Sequence, residues 1–149
     1  MGPLKEILYA EDSANDVELT IEALKGIGIA NQIIVARDGA EALDYLYRRG
    51  RFANRQTSPP ILVLLDLKLP KVSGLEVLEK IKSDPQLRTV PVVVLTSSRE
   101  ERDLVEGYRL GVNAFVVKPV DFQQFTESVR RIGCFWALVN EPPPKGSKG

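Results

Sequence analysis

Five short aliphatic runs punctuate this sequence, and a stretch with helical spacing follows each of them. The runs are Ile7 to Ala10, Ile33 to Ala36, Ile61 to Leu65, Val92 to Leu95 and Phe115 to Val117. Their apolar character is continuous, not alternating, so both faces of each strand need cover, as in a parallel sheet enclosed by helices. Between them Val17, Ile21 and Leu24 recur at helical spacing ahead of Gly26, and Leu43, Leu46 and Tyr47 ahead of Gly50, a glycine suited to ending a helix. Leu75, Leu78 and Ile81 repeat the pattern, as do Leu104 and Tyr108 before Gly111, and Phe125, Val129 and Ile132 near the end. Asp38 with Glu41, Ser98 with Glu101 and Asp121 with Gln124 place a side-chain oxygen where it can cap a helix N-terminus. Strict alternation of strand and helix implies an α/β fold, an open parallel sheet with right-handed crossovers and helices on both faces.

The expected organisation is one domain over 1–140, a basic, proline-terminated exposed loop from Gly50 to Pro60, and a disordered tail over 141–149. A length of 149 residues suits a single core. Twenty Lys and Arg balance twenty Asp and Glu, leaving no excess positive charge for nucleic acid. No window approaches the ~20 apolar residues that span a bilayer, so the expectation is a cytoplasmic protein with no membrane and no nucleic-acid partner. The single cysteine, Cys134, has no internal disulfide partner, and the absence of histidine removes Ser-His-Asp catalysis and any phosphohistidine of the chain's own. A phosphoryl group has to come from outside.

In open α/β sheets ligands bind beyond the carboxyl ends of the strands, where these runs terminate in chemistry-bearing residues. The first ends in Glu11 and Asp12, the third in Asp66, the fourth in Thr96 and the fifth in Lys118 with Pro119. If these strands are neighbours, three carboxylates converge. Like charges about 4 Å apart cost roughly 4 kcal/mol at an effective dielectric of 20, so positive charge is required. Lys118 supplies one, and a hard oxygen-bound divalent cation, Mg²⁺, supplies two more. Asp66, after the central strand, is the expected nucleophile toward phosphorus.

Glu11-Asp12, the segment Asp66-x-x-x-Pro70-x-x-x-Gly74, Thr96 and Lys118-Pro119 together resemble, in order and spacing, the signature of two-component response-regulator receiver domains. The resemblance covers about residues 4 to 135. It implies a flavodoxin-like (βα)5 fold, an open parallel five-stranded sheet of order 2-1-3-4-5. It further implies a response regulator that accepts a phosphoryl group from a sensor histidine kinase onto Asp66 in a Mg²⁺-dependent reaction. Such a protein catalyses only its own phosphorylation and dephosphorylation, and with no output domain following it would signal by conformational change and protein contacts. Asp12 would bind the metal directly, Glu11 through water, and Lys68 through its backbone carbonyl. Thr96 and Lys118 would stabilise the phosphoryl group, Lys118 across a cis bond to Pro119. Thr96 and Phe115 would form the switch, although Phe115 suits static core packing equally well. The long basic loop, Phe135-Trp136 and Pro142 to Pro144 are similar to single-domain regulators of phytochrome-type kinases, which makes a bacterial phytochrome the expected partner.

A flavodoxin-type flavin binder would carry a hydroxyl-rich phosphate loop where this chain has Glu11-Asp12. A phosphatase with an aspartate nucleophile would want an acid at Lys68, and a degenerate receiver would lack the acid pocket. From Cys134 to Val139 the sequence is apolar on all sides, so a continuing helix needs cover beyond its own sheet. Folding back over the domain is one solution; the expected one is a homodimer through Phe135, Trp136, Leu138 and Val139.

Overall fold

A computed structural model describes residues 6–29, 32–55, 59–96, 109–131 and 133, with Thr96 and Phe122 described by backbone alone. The five apolar runs become β1 (Ile7–Ala10), β2 (Ile33–Ala36), β3 (Leu62–Asp66), β4 (Val92–Thr96) and β5 (Ala114–Val117), all parallel, in the order β2-β1-β3-β4-β5. The described α-helices are α1 (Ala14–Ile27), α2 (Gly39–Tyr47), α3 (Gly74–Ser83) and α4 (Phe122–Arg131). The expected helix around Leu104 and Tyr108, its Ser98–Glu101 cap, Phe135 to Val139 and the 141–149 tail lie outside the described residues.

Continuous apolar runs are explained by cover on both sides. Leu8, Ala10, Val63, Leu65, Val92 and Val94 pack with α2 and α3. Their alternates Ile7, Tyr9, Leu62, Leu64, Val93 and Leu95 pack with Leu24 of α1 and with Phe125 and Val129 of α4. In β1, β3 and β4 successive residues therefore load each face in turn, whereas the edge strands β2 and β5 are partly exposed.

Helix starts follow the side-chain oxygens. Asp38 accepts from the Glu41 N–H at 2.7 Å, and Asp121 from those of Gln123 and Gln124, as expected; Ser13 and Ser73 cap α1 and α3 by accepting from Asp16 and Glu76 N–H. Two ends differ from expectation. Helix α1 runs through Gly26, and its left-handed terminator is Gly28 at φ 86°, whose N–H reaches the Leu24 and Lys25 carbonyls. Likewise α2 is closed by Arg48 at φ 55°, while Gly50 opens a short 3-10 turn over Gly50–Phe52.

The segment from Gly50, expected to be an exposed loop, is largely exposed as far as Arg55 but is pinned to the domain there. Phe52 sits edge-on to the Tyr45 ring with centroids 5.2 Å apart, and the Arg55 guanidinium lies over the same ring, 4.1 Å from its centroid, while its Nε donates to the Tyr45 carbonyl. Arg51 donates to Glu41 at 2.7 Å and to the Val35 carbonyl on the outer edge of β2 at 3.2 Å. An exposed sheet edge is a template for unwanted strand addition, and a charged side chain laid over it blunts that template.

Candidate functional site

Register brings the strand ends together. Ala10 pairs with Leu65, so the next residues, Glu11 and Asp66, emerge side by side; Thr96 pairs with Val117, so Lys118 leaves β5 beside the end of β4. The Lys118–Pro119 bond is cis, as the resemblance implied. Glu11 is fully buried and Asp66 is buried, whereas Asp12 is exposed at the mouth. One carboxylate oxygen from each of Glu11, Asp12 and Asp66 lies within 4.8 Å of the other two.

Lys118 holds this group together. Its Nζ donates to Glu11 Oε1 at 2.8 Å, to Asp16 Oδ2 at 2.9 Å and to Asp66 Oδ2 at 3.0 Å. The Lys118 side chain is only 9% exposed, so these pairs escape most of the screening that makes surface ion pairs weak. Burial alone would lower the ammonium's pKa, but the hydrogen bonds from Glu11, Asp16 and Asp66 outweigh it and raise it above its ordinary value. The remaining carboxylate oxygens bond backbone: Glu11 Oε2 accepts from Ser13 N–H at 3.2 Å and Asp66 Oδ1 from Lys68 N–H at 3.0 Å.

One ammonium cannot neutralise this many acids. Burial, opposed by Lys118 and reinforced by the neighbouring Asp66, pushes the Glu11 carboxyl from 4.5 up to about 7. A group of hard oxygen donors, one of them with its pKa raised chiefly by burial and further by the neighbouring Asp66, fits a divalent cation. The sign of its pH dependence follows. With its folded pKa raised, Glu11 favours the metal-free fold while protonated, and that contribution is lost as pH rises toward 7. The proton must also leave before a cation binds. Divalent affinity should therefore strengthen up to about tenfold per pH unit below about 7 and level off above it. Calorimetry from pH 6 to 8 checks this, and a flat profile would contradict it.

Of the other expected residues, Lys68 stands in the exposed bend after β3, two positions beyond Asp66. Phe115 lies on β5, partly buried against the α2–α3 side of the core. The Thr96 side chain and Phe135, Trp136, Leu138 and Val139 lie outside the described residues. Asp16 is the residue sequence reasoning missed. Its spacing from Ser13 announces a helix cap, and nothing local to α1 reveals that Lys118, 102 positions on, arrives beside it.

A sheet of this order with an acid cluster and a lysine at the carboxyl ends of its strands defines a class, and comparison agrees with it. Residues 7–130 match the response regulator receiver domain family, and the chain belongs to that family. Response regulator Rcp1 from Synechocystis sp. is 43% identical over 136 residues, covering 91% of this chain and 90% of its own. The crystal structure of the Mn²⁺-bound form of Rcp1 superposes with a TM-score of 0.75 at 41% identity, over 94% of this chain and 99% of that one. The bacteriophytochrome response regulator AtBRR is more similar, with a TM-score of 0.85 at 58% identity over 94% of this chain and all of its own. The phosphorylated cyanobacterial phytochrome response regulator RcpA gives 0.75 at 40%, over 96% of this chain and 100% of its own. The fold is thus the flavodoxin-like one expected, and the chain is a two-component response regulator working by phosphorylation. Among the described residues no helix is long and apolar enough to cross a membrane.

Proposed function

We propose that Asp66 is the phosphoacceptor and that the carboxylates of Glu11, Asp12 and Asp66, with the Lys68 backbone carbonyl, hold Mg²⁺ beside it. The observation that carries this reading is the 3.0 Å contact of Lys118 with Asp66 inside an acid cluster at the strand ends. An Asp66 oxygen attacks phosphorus, forming an acyl phosphate as the P–N bond of the donor's phosphohistidine breaks and the imidazole leaves. Charge grows on the equatorial phosphoryl oxygens, and Lys118 and Thr96 are the donors that would stabilise it. A divalent cation held by Glu11, Asp12, Asp66 and the Lys68 carbonyl would supply further positive charge for those oxygens. Thr96 and Phe115 then carry the shape change outward, with no turnover of other phosphate esters.

The donor is a sensor histidine kinase of the bacterial phytochrome type, a reading supported by the phytochrome regulators among the relatives. The domain spans 1–140 in the cytoplasm and pairs as a homodimer through Phe135, Trp136, Leu138 and Val139. Incubation with acetyl phosphate and Mg²⁺ should place one acid-labile phosphoryl group on the Asp66 peptide and none in excess chelator; labelling that ignores the chelator sinks the site. Light scattering of the same sample should give twice the 16.5 kDa chain mass, and the chain mass alone would exclude the dimer.

A further inference from the structure

Lys118 has three N–H groups and three carboxylate partners, yet those partners are unequal. Glu11 and Asp66 also belong to the acid cluster that offers one oxygen each within 4.8 Å, whereas Asp16 stands outside it. Any cation entering the cluster competes for Glu11 and Asp66, and a phosphoryl group on Asp66 occupies one of its oxygens outright. Two anchors of the ammonium are thus conditional on the state of the site. The third is not.

Asp16 is itself fixed on both sides of its peptide. Its N–H donates to Ser13 Oγ at 3.2 Å, and its carbonyl accepts from the Tyr9 hydroxyl at 3.3 Å. That hydroxyl is buried and makes a further 3.0 Å contact with Thr20 Oγ1. Ser13 is the cap of α1, Tyr9 belongs to β1 and Thr20 lies one turn deeper in α1, so the first turn of the helix cannot rotate without breaking several bonds. The Asp16 side chain is two-thirds covered and its Oδ2 meets Lys118 at 2.9 Å. This is more restraint than capping a helix requires.

We infer that Asp16 is a positioning residue for Lys118: it holds the ammonium on the α1 side of the site when Glu11 and Asp66 are engaged, so that a free N–H stays aimed at the phosphoryl group. The inference rests on the assignment of Lys118 to that group. A long flexible lysine with no fixed partner spreads over several rotamers, and freezing it anew at each phosphotransfer costs entropy that a standing anchor removes.

The test uses the full chain saturated with Mg²⁺ and follows the Lys118 ammonium by ¹⁵N NMR, with Lys118→Arg to assign the signal. Hydrogen bonds to charged groups are worth enough that Asp16→Ala should accelerate ammonium proton exchange about tenfold or more. Phosphoryl uptake from acetyl phosphate should fall by about tenfold alongside, while Mg²⁺ affinity stays within about twofold. Asp16→Glu, which restores the charge, should recover most of both. Should Asp16→Ala not fold, Asp16→Asn, which keeps the shape but not the charge, gives the same comparison. Unchanged exchange in the charge-removing variant overturns the inference. So does a tenfold loss of Mg²⁺ affinity, which would make Asp16 a metal acid, or a failure of Asp16→Glu to rescue. Labelling of the wild type away from Asp66 would instead sink the phosphoacceptor assignment, and the exchange rates would still decide whether Asp16 holds Lys118.

Discussion

Asp66→Asn should lose phosphoryl labelling by at least about three orders of magnitude, since removal of a nucleophile leaves no second group to do its work. The fold should survive. Asp66 uses one oxygen to accept from Lys68 N–H and the other to accept from Lys118; an amide keeps one acceptor, and Lys118 retains Glu11 and Asp16. Loss of the charge also removes one of the influences that push Glu11 up, so the metal-free cluster repels itself less. The thermal midpoint should accordingly stay within about 4 °C of wild type. Differential scanning calorimetry and intact-mass measurement on one preparation check both halves. Wild-type labelling in the variant means another residue accepts the phosphoryl group; collapse of the midpoint means Asp66 is structural and the labelling result carries no chemistry.

Much of the fold was legible because a parallel sheet covered on both sides leaves a coarse signature. The runs Ile7 to Ala10 and Ile33 to Ala36 coincide with β1 and β2, β4 and β5 each extend their runs by one residue at one end, and β3 is shifted by one residue from its run. Buried strands tolerate little besides Val, Ile and Leu, so their limits are drawn by composition. Glu11, Asp66 and Lys118 were legible for a related reason: a charged residue directly after such a run must lie at the strand end.

Less legible were features set by contacts between distant segments. Phe52, the one aromatic between Gly50 and Pro60, gives no periodicity, and the Tyr45 ring beside it, with the contacts of Arg51 and Arg55, explains why the segment after α2 folds back. Gly26 and Gly28 are equally glycines in the sequence; which of them ends α1 depends on where Ile27 and Ile29 find cover, and both pack on the α1–α4 side of the core. Asp16 illustrates the same gap within the site. As an acid in the first turn of a helix it is ordinary, and its meeting with Lys118 is decided by strand order, which the sequence expresses only through the family signature.

Gly74→Ala should destabilise the protein by about 3 kcal/mol, which for a chain of this size lowers the thermal midpoint by about 6–12 °C. The glycine opens α3, and its N–H donates to the Leu67 carbonyl at 2.9 Å, drawing the helix start against the end of β3. A methyl group there would sit 2.2 Å from the Asp66 carbonyl oxygen, 2.6 Å from Leu67 Cα and 2.9 Å from the Leu67 carbonyl oxygen. All three are backbone atoms, so no side chain can swing away, and relief requires displacing either the helix or the strand end that carries Asp66. Phosphoryl uptake should therefore fall even at temperatures where the variant is fully folded, because Asp66 moves relative to Lys118. Gly26→Ala supplies the contrast. A methyl at Gly26, inside α1, meets nothing within 4 Å, so the ordinary preference of a helix interior for alanine should stabilise that variant by about 0.5–1 kcal/mol. Thermal melts of the two variants beside wild type should shift in opposite directions, and a Gly74→Ala protein as stable and as readily labelled as wild type would show that the close approach of α3 to β3 does not fix the position of Asp66.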